Sequence, residues 1–113
     1  MAVGLTETVL SFLEQLPPNK HVRLIGQMES AAVSVSQNIA EGEGRQYKKE
    51  FVQFLHIAKG SVFEVVTLNE IFRRRNLFSE GQAIEVRNRC EAIDRKLNGL
   101  INSLHGKRTS GRV

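Results

Sequence analysis

Apolar residues along this chain recur at steps of three and four, and nowhere alternate with period two over a useful length. That spacing predicts helices rather than strands. A first helix spans Leu5–Leu16, with Leu5, Val9, Phe12, Leu13 and Leu16 on one face. Pro17 and Pro18 end it, because proline lacks a donor and restricts the residue before it. A second helix spans Lys20–Glu41, with Asn19 as N-cap and a stripe of Ile25, Met28, Ala32, Val35 and Ile39. Gly42 and Gly44 are expected to stop it through left-handed backbone. A third helix spans Gln46–Arg75. It carries Phe51, Phe54, Leu55, Ala58, Val62, Val65 and Phe72 on one face, with Asn69 a polar exception in that column. A fourth helix opens at Ser79, with Gln82 placed as in a capping box. Its stripe is Ala83, Val86, Cys90, Ile93, Leu97, Leu100, Ile101 and Leu104.

Four amphipathic helices with short links predict an all-α, up-down-up-down four-helix bundle over residues 1–105. Residues 106–113 read as a short basic tail, expected to be mobile. The first helix is much shorter than its partners and leaves apolar surface uncovered. Ile57 and Ile71 also lie off the third helix's main stripe. Both features point to burial against another copy of the chain.

Composition narrows the class further. A length of 113 residues suits one domain, and 41% hydrophobic with 25% charged residues suits a globular protein. The single cysteine, Cys90, sits in the fourth helix's stripe and excludes an internal disulfide or a multi-cysteine metal site. No secretory signal and no bilayer-spanning stretch is read from the sequence, so a cytoplasmic location without a membrane is expected. The net charge is +4, unevenly spread. Residues 1–44 hold two bases against five acids, and residues 45–113 hold fourteen against seven. A basic half suits a polyanion partner, and an arginine-rich solvated surface accounts for it equally well.

The stretch "SVSQNIAEGEGR" holds the most specific pattern. At 100° per residue, Gln27, Ala31, Ser34 and Asn38 fall near one line of the second helix, with Glu41 close by. This column is lateral to the core stripe, so it is placed to meet the next helix, where Arg45, Lys48 or Lys49 can pair with Glu41. A hydrogen-bonded helix contact is the first reading; a ligand or subunit contact is the second. Catalysis finds no support, because Ser34 and Asn38 lack a neighbouring histidine and one carboxylate is not an acid/base pair. His21, His56 and His105 have no second ligand at helical spacing, so neither metal nor cofactor is expected. Gly60 lies inside the third helix, where glycine costs about 1 kcal/mol relative to alanine. Close approach of another backbone there, and more weakly at Gly26 and Gly99, would compensate.

The segment "AAVSVSQNIAEGEGR" followed by "KKEFVQFLHIAKGSVFEV" resembles a four-helix-bundle family encoded in intervening sequences of bacterial large-subunit ribosomal RNA genes. It is also similar to the accessory variability protein of diversity-generating retroelements. The matching positions are Ser34, Asn38, Ile39, Ala40, Glu41, Gly42, Gly44 and Arg45, then Phe54, Leu55, Ile57, Ala58, Gly60, Ser61 and Glu64. The chain departs at Ser36 and Gln37, where the family commonly carries Pro-Ser and a kink, and in its shorter first helix. The resemblance covers residues 24–80 well, and implies a homopentameric ring with a basic surface. For the retroelement member it implies action beside a reverse transcriptase on nucleic acid.

Candidate phosphate contacts are Arg73, Arg74 and Arg75 at one end of the third helix, Arg45, Lys48 and Lys49 at the other, and Lys107 and Arg108 in the tail. The two helix groups stand about 40 Å apart at 1.5 Å per residue. Tyr47 is the only tyrosine and the phenylalanines are expected to be buried, so backbone contact is expected rather than base stacking. The sequence therefore points to a non-enzymatic oligomeric bundle that binds RNA or DNA through phosphates. The alternative is an interaction module whose charge serves solubility.

Overall fold

The computed structural model describes the backbone of residues 1–110 and the side chains of residues 1–105. The expected tail at 106–113, with Lys107 and Arg108, lies outside the described side chains. Among the described residues all regular structure is helical, in four elements: α1 (Ala2–Glu14), α2 (Val22–Glu43), α3 (Lys48–Arg74) and α4 (Glu80–Ser110). The rod measures 56 × 23 × 17 Å.

The register of the polar cross-links makes successive helices antiparallel. Thr6 of α1 reaches Ala32 and Ser36 of α2. Ser34 of α2 meets Ser61 of α3. Asn69 meets Ala83, and Lys59 meets Asn98, between α3 and α4. Gln15 meets Gln82 and closes the ring from α1 to α4. The up-down-up-down order thus holds. Below, the end holding the α2–α3 turn is called proximal, and the end holding the α1–α2 and α3–α4 turns distal.

The core is built from the stripes the pattern predicts. Leu5, Val9, Met28, Val35, Leu55, Val65, Phe72, Val86 and Cys90 are buried. Each large side chain taken fully from water adds roughly 1.5–3 kcal/mol. Burial pushes the Cys90 thiol up to about 12, which leaves it protonated and inert at neutral pH. Phe78 is buried outside any helical stripe and packs against Phe72 at 4.8 Å and Phe12 at 5.7 Å. This aromatic plug closes the distal end.

The helix ends differ from expectation in instructive ways. At the start of α2 the cap is His21, in the left-handed region at φ 54°, and Asn19 is not the cap. Gly42 and Gly44 are not left-handed: Gly44 caps α2 at φ −83° in right-handed backbone, and no glycine among the described residues has positive φ. Gly42 is needed for a different reason, given below. The left-handed stop occurs at Asn76 (φ 60°) after α3. There the amides of Asn76 and Leu77 donate back to the carbonyls of Arg73 and Phe72, a Schellman closure. The capping box of α4 forms as predicted, with Gln82 N–H on Ser79 Oγ at 3.0 Å and Ser79 N–H on Gln82 Oε1 at 2.9 Å. α2 runs unbroken through Ser36 and Gln37, where Ser36 instead meets the Ala2 carbonyl and Thr6.

α3 carries two apolar faces, and this corrects two expectations. Phe63 is not buried but 58% exposed, beside Ile57 and Ile71 on the outer face. With both faces counted, α3 is long and apolar enough by length and composition to cross a membrane, although 33% of its most apolar window is buried within the bundle. Gly60 lies among these outer residues, and a Cβ there would meet nothing within 4 Å. The same open space surrounds Gly26 and Gly99, so among the described residues no neighbouring element brings its backbone within 4 Å of a Cβ at any of the three.

Candidate nucleic-acid interface

The quoted motif first builds a corner. A Cβ on Gly42 would stand 2.9 Å from Phe54 Cβ and 3.0 Å from Phe51 Cδ1. Glycine therefore lets the last turn of α2 close onto the first turns of α3. Arg45 lies over the Phe54 ring at 4.6 Å and donates to Glu41 at 3.1 Å. Lys48 and Lys49, the other candidate partners of Glu41, do not reach it. Higher up, Asn38 Nδ2 donates to the Ser34 carbonyl and hydroxyl at 2.8 and 2.9 Å, and the Ser34 hydroxyl meets the Ser61 hydroxyl at 2.7 Å. The column Ser34–Asn38 is thus a hydrogen-bonded seam between α2 and α3. Gly42 belongs to the seam by contact, while Glu41 and Gly44 belong to the corner.

The corner leaves Lys48 and Lys49 exposed at the start of α3, and among the described residues neither has an acidic partner. Because α4 runs back to this end, Leu104 and His105 join them. Lys48, Lys49, Val52, Gln53, Leu104 and His105 line a groove of about 210 Å³. Tyr47, 63% exposed, caps α3 in extended backbone beside them. Tyr47 is the lone tyrosine of the sequence, and its flanking by Arg45, Lys48 and Lys49 is the signal that points to it.

The distal cations are held differently. Glu70 accepts from Arg73 at 3.0 and 2.7 Å and from Arg74 at 2.9 Å. Glu80 stands 3.8 Å from Arg73. The hydrogen bond from Arg73, then that from Arg74, holds the Glu70 carboxyl down at about 2. The Arg73 guanidinium is raised in turn. Arg75 alone of the three has no ion pair among the described residues. The two basic groups remain at opposite ends of α3, as its length requires.

A second polar cluster was not foreseen. Lys59 meets Asn98 and stands 3.6 Å from Asp94, with Asn98 donating to Asp94 at 3.3 Å. It ties the middle of α3 to α4. Among the described residues no group of three His, Cys, Asp or Glu side chains is placed to hold a metal.

A four-helix bundle with a glycine-sealed corner and an open basic end is the class these features define. The chain belongs to the 23S rRNA-intervening sequence protein family, whose model matches residues 1–99. The fold is similar to a crystal structure of a protein of unknown function from the S23 ribosomal protein family of Bacteroides thetaiotaomicron VPI-5482. That likeness has a TM-score of 0.82 at 20% identity and covers 88% of this chain and 94% of that one. No curated protein matches the sequence.

Proposed function

We propose that this protein is a non-enzymatic, cytoplasmic homo-oligomer that binds RNA or DNA through backbone phosphates. The observation that carries the reading is the pair Lys48 and Lys49, exposed and, among the described residues, without acidic partners, in a chain of net charge +4. Lysines not neutralised within the protein are available to displace counterions from a polyanion. Membership of a family linked to a 23S rRNA intervening sequence favours an RNA setting, with action beside a reverse transcriptase the other setting that suits such a protein. Arg45, Arg75, Lys107 and Arg108 extend the candidate contacts; Arg73 and Arg74 contribute less while Glu70 holds them.

Assembly rests on α3. Ile57 and Phe63 are more than half exposed and Ile71 is 38% exposed, around the open backbone of Gly60. Such a face on a small protein is a candidate subunit contact. The five-fold ring implied by the family resemblance would repeat the lysines around an axis and multiply a weak field. Light scattering should return about five times the 12.7 kDa chain mass; a monomer would remove the ring.

A salt titration of RNA and DNA binding tests the central reading. The expected slope of log affinity on log salt is about −0.9 per neutralised phosphate on a duplex and about −0.7 on a single strand. Lys48→Gln with Lys49→Gln should flatten it by about the value for two contacts. No binding at low salt would leave the second reading, an interaction module whose charge serves solubility. The internal pairing of Arg73 and Arg74 with Glu70 favours that reading.

A further inference from the structure

The groove at the proximal end is more than a cationic surface. Its floor is Val52 and Leu104, both half-buried, with Leu104 packed against the core. Its other lining residues, Lys48, Lys49, Gln53 and His105, are exposed. A site for phosphate alone has no use for an apolar floor, and a site for an apolar ligand has no use for two lysines in its lining. A group that is flat and apolar on its face, polar at its edge and attached to an anion satisfies all of these at once.

We propose that this groove takes an unpaired nucleotide of single-stranded nucleic acid. The base lies on Val52 and Leu104, its edge faces the Gln53 amide, and its phosphate sits against Lys48 and Lys49. This rests on the phosphate-binding reading above and narrows its substrate. In a duplex each base is stacked above and below and shows only its edges in the grooves. It has no face to lay on an apolar floor. At about 210 Å³ the groove is below the ~300–1,000 Å³ of ordinary small-molecule sites, which suits one ring system rather than a larger ligand. Tyr47, directly before the two lysines and 63% exposed, offers a second face to the neighbouring base. Stacking on Tyr47 is tolerant of sequence, because every base has a π-face, and apolar contact with Val52 and Leu104 is equally open to any base.

The test uses fluorescence anisotropy with labelled single strands of RNA and of DNA, a duplex of matched phosphate number, and an oligoglutamate peptide. The full chain should bind single strands about tenfold more tightly than duplex. Tyr47→Ala and Val52→Ala should each weaken single-strand binding about five- to tenfold, leave duplex binding unchanged and leave the salt slope unchanged. Lys48→Gln with Lys49→Gln should weaken both strands and flatten both slopes. Tyr47 and both lysines are exposed, so these variants should keep the wild-type melting curve. Equal affinity for single strand and duplex, with Tyr47→Ala silent and the lysine variant still weakening both, overturns this inference and leaves the phosphate reading standing. Binding to oligoglutamate with no binding to any nucleic acid overturns both.

Discussion

α3 opens on the pair Lys48 and Lys49 and closes on the pair Arg73 and Arg74, and the chain treats the two pairs in opposite ways. Arg73 and Arg74 lie one turn beyond Glu70, at the spacing where helix side chains meet, and both are tied to it. Lys48 and Lys49 have only Glu50 in their own first turn and have no ion pair among the described residues. The ends also close differently. Phe72, Phe78 and Phe12 plug the distal end, whereas the proximal end is sealed by a glycine seam and keeps an open groove. A count of charges is therefore a poor guide to available charge. What matters is whether an acid stands three or four residues away.

The largest expected effect tests the plug. Phe72→Ala removes a fully buried ring and should lower unfolding free energy by about 3–5 kcal/mol in a urea melt. A loss below 1 kcal/mol would mean the distal end is not packed as described. Gly42→Ala tests the seam. Crowding against Phe51 and Phe54 costs about 1–3 kcal/mol, while alanine regains roughly 1 kcal/mol of helix propensity. A net loss near 1 kcal/mol is expected, and a net gain would refute the close contact. Glu70→Gln tests the difference in charge directly. Freeing Arg73 and Arg74 should strengthen polyanion binding a few-fold and steepen the duplex salt slope by up to about 2. An unchanged slope would place the interface wholly at the proximal end. The smallest effect is in acid. Glu70 is held below its ordinary 4.5, at about 2, so its stabilising contribution is complete above 4.5 and fades as pH falls towards 2. A carboxyl titration followed by NMR should place its midpoint near 2, and a value near 4.5 would dissolve the clamp.

Much of the fold was legible because helix periodicity is a local signal. The stripes through Leu5, Met28, Leu55 and Val86 and the capping box at Ser79 were readable from spacing alone. Phe78 was not, because it sits in a turn and is buried only when α1 and α3 converge on it. Gly42 was assigned to the wrong cause: its presence was evident, but the need for it comes from Phe54, twelve residues on, rather than from its own φ. Phe63 departs from the expectation that phenylalanines are core, because it lies on the outer face of α3. The candidate site was legible only in half. The lysines could be named, but their meeting with Leu104 and His105 depends on α4 returning antiparallel.

The brevity of α1 has its own consequence. It spans 13 residues against 22, 27 and 31 in the other helices, and is held through Thr6 on α2, Phe12 on Phe78 and its C-cap Gln15 on Gln82 of α4. α2 and α3, by contrast, form a long hairpin joined directly in sequence. Order in this molecule should therefore arrive unevenly: the hairpin assembles early from close neighbours, and the N-terminal helix docks last across the ends of the chain. In deuterated solvent its amides should exchange first, through openings that leave the rest of the rod intact.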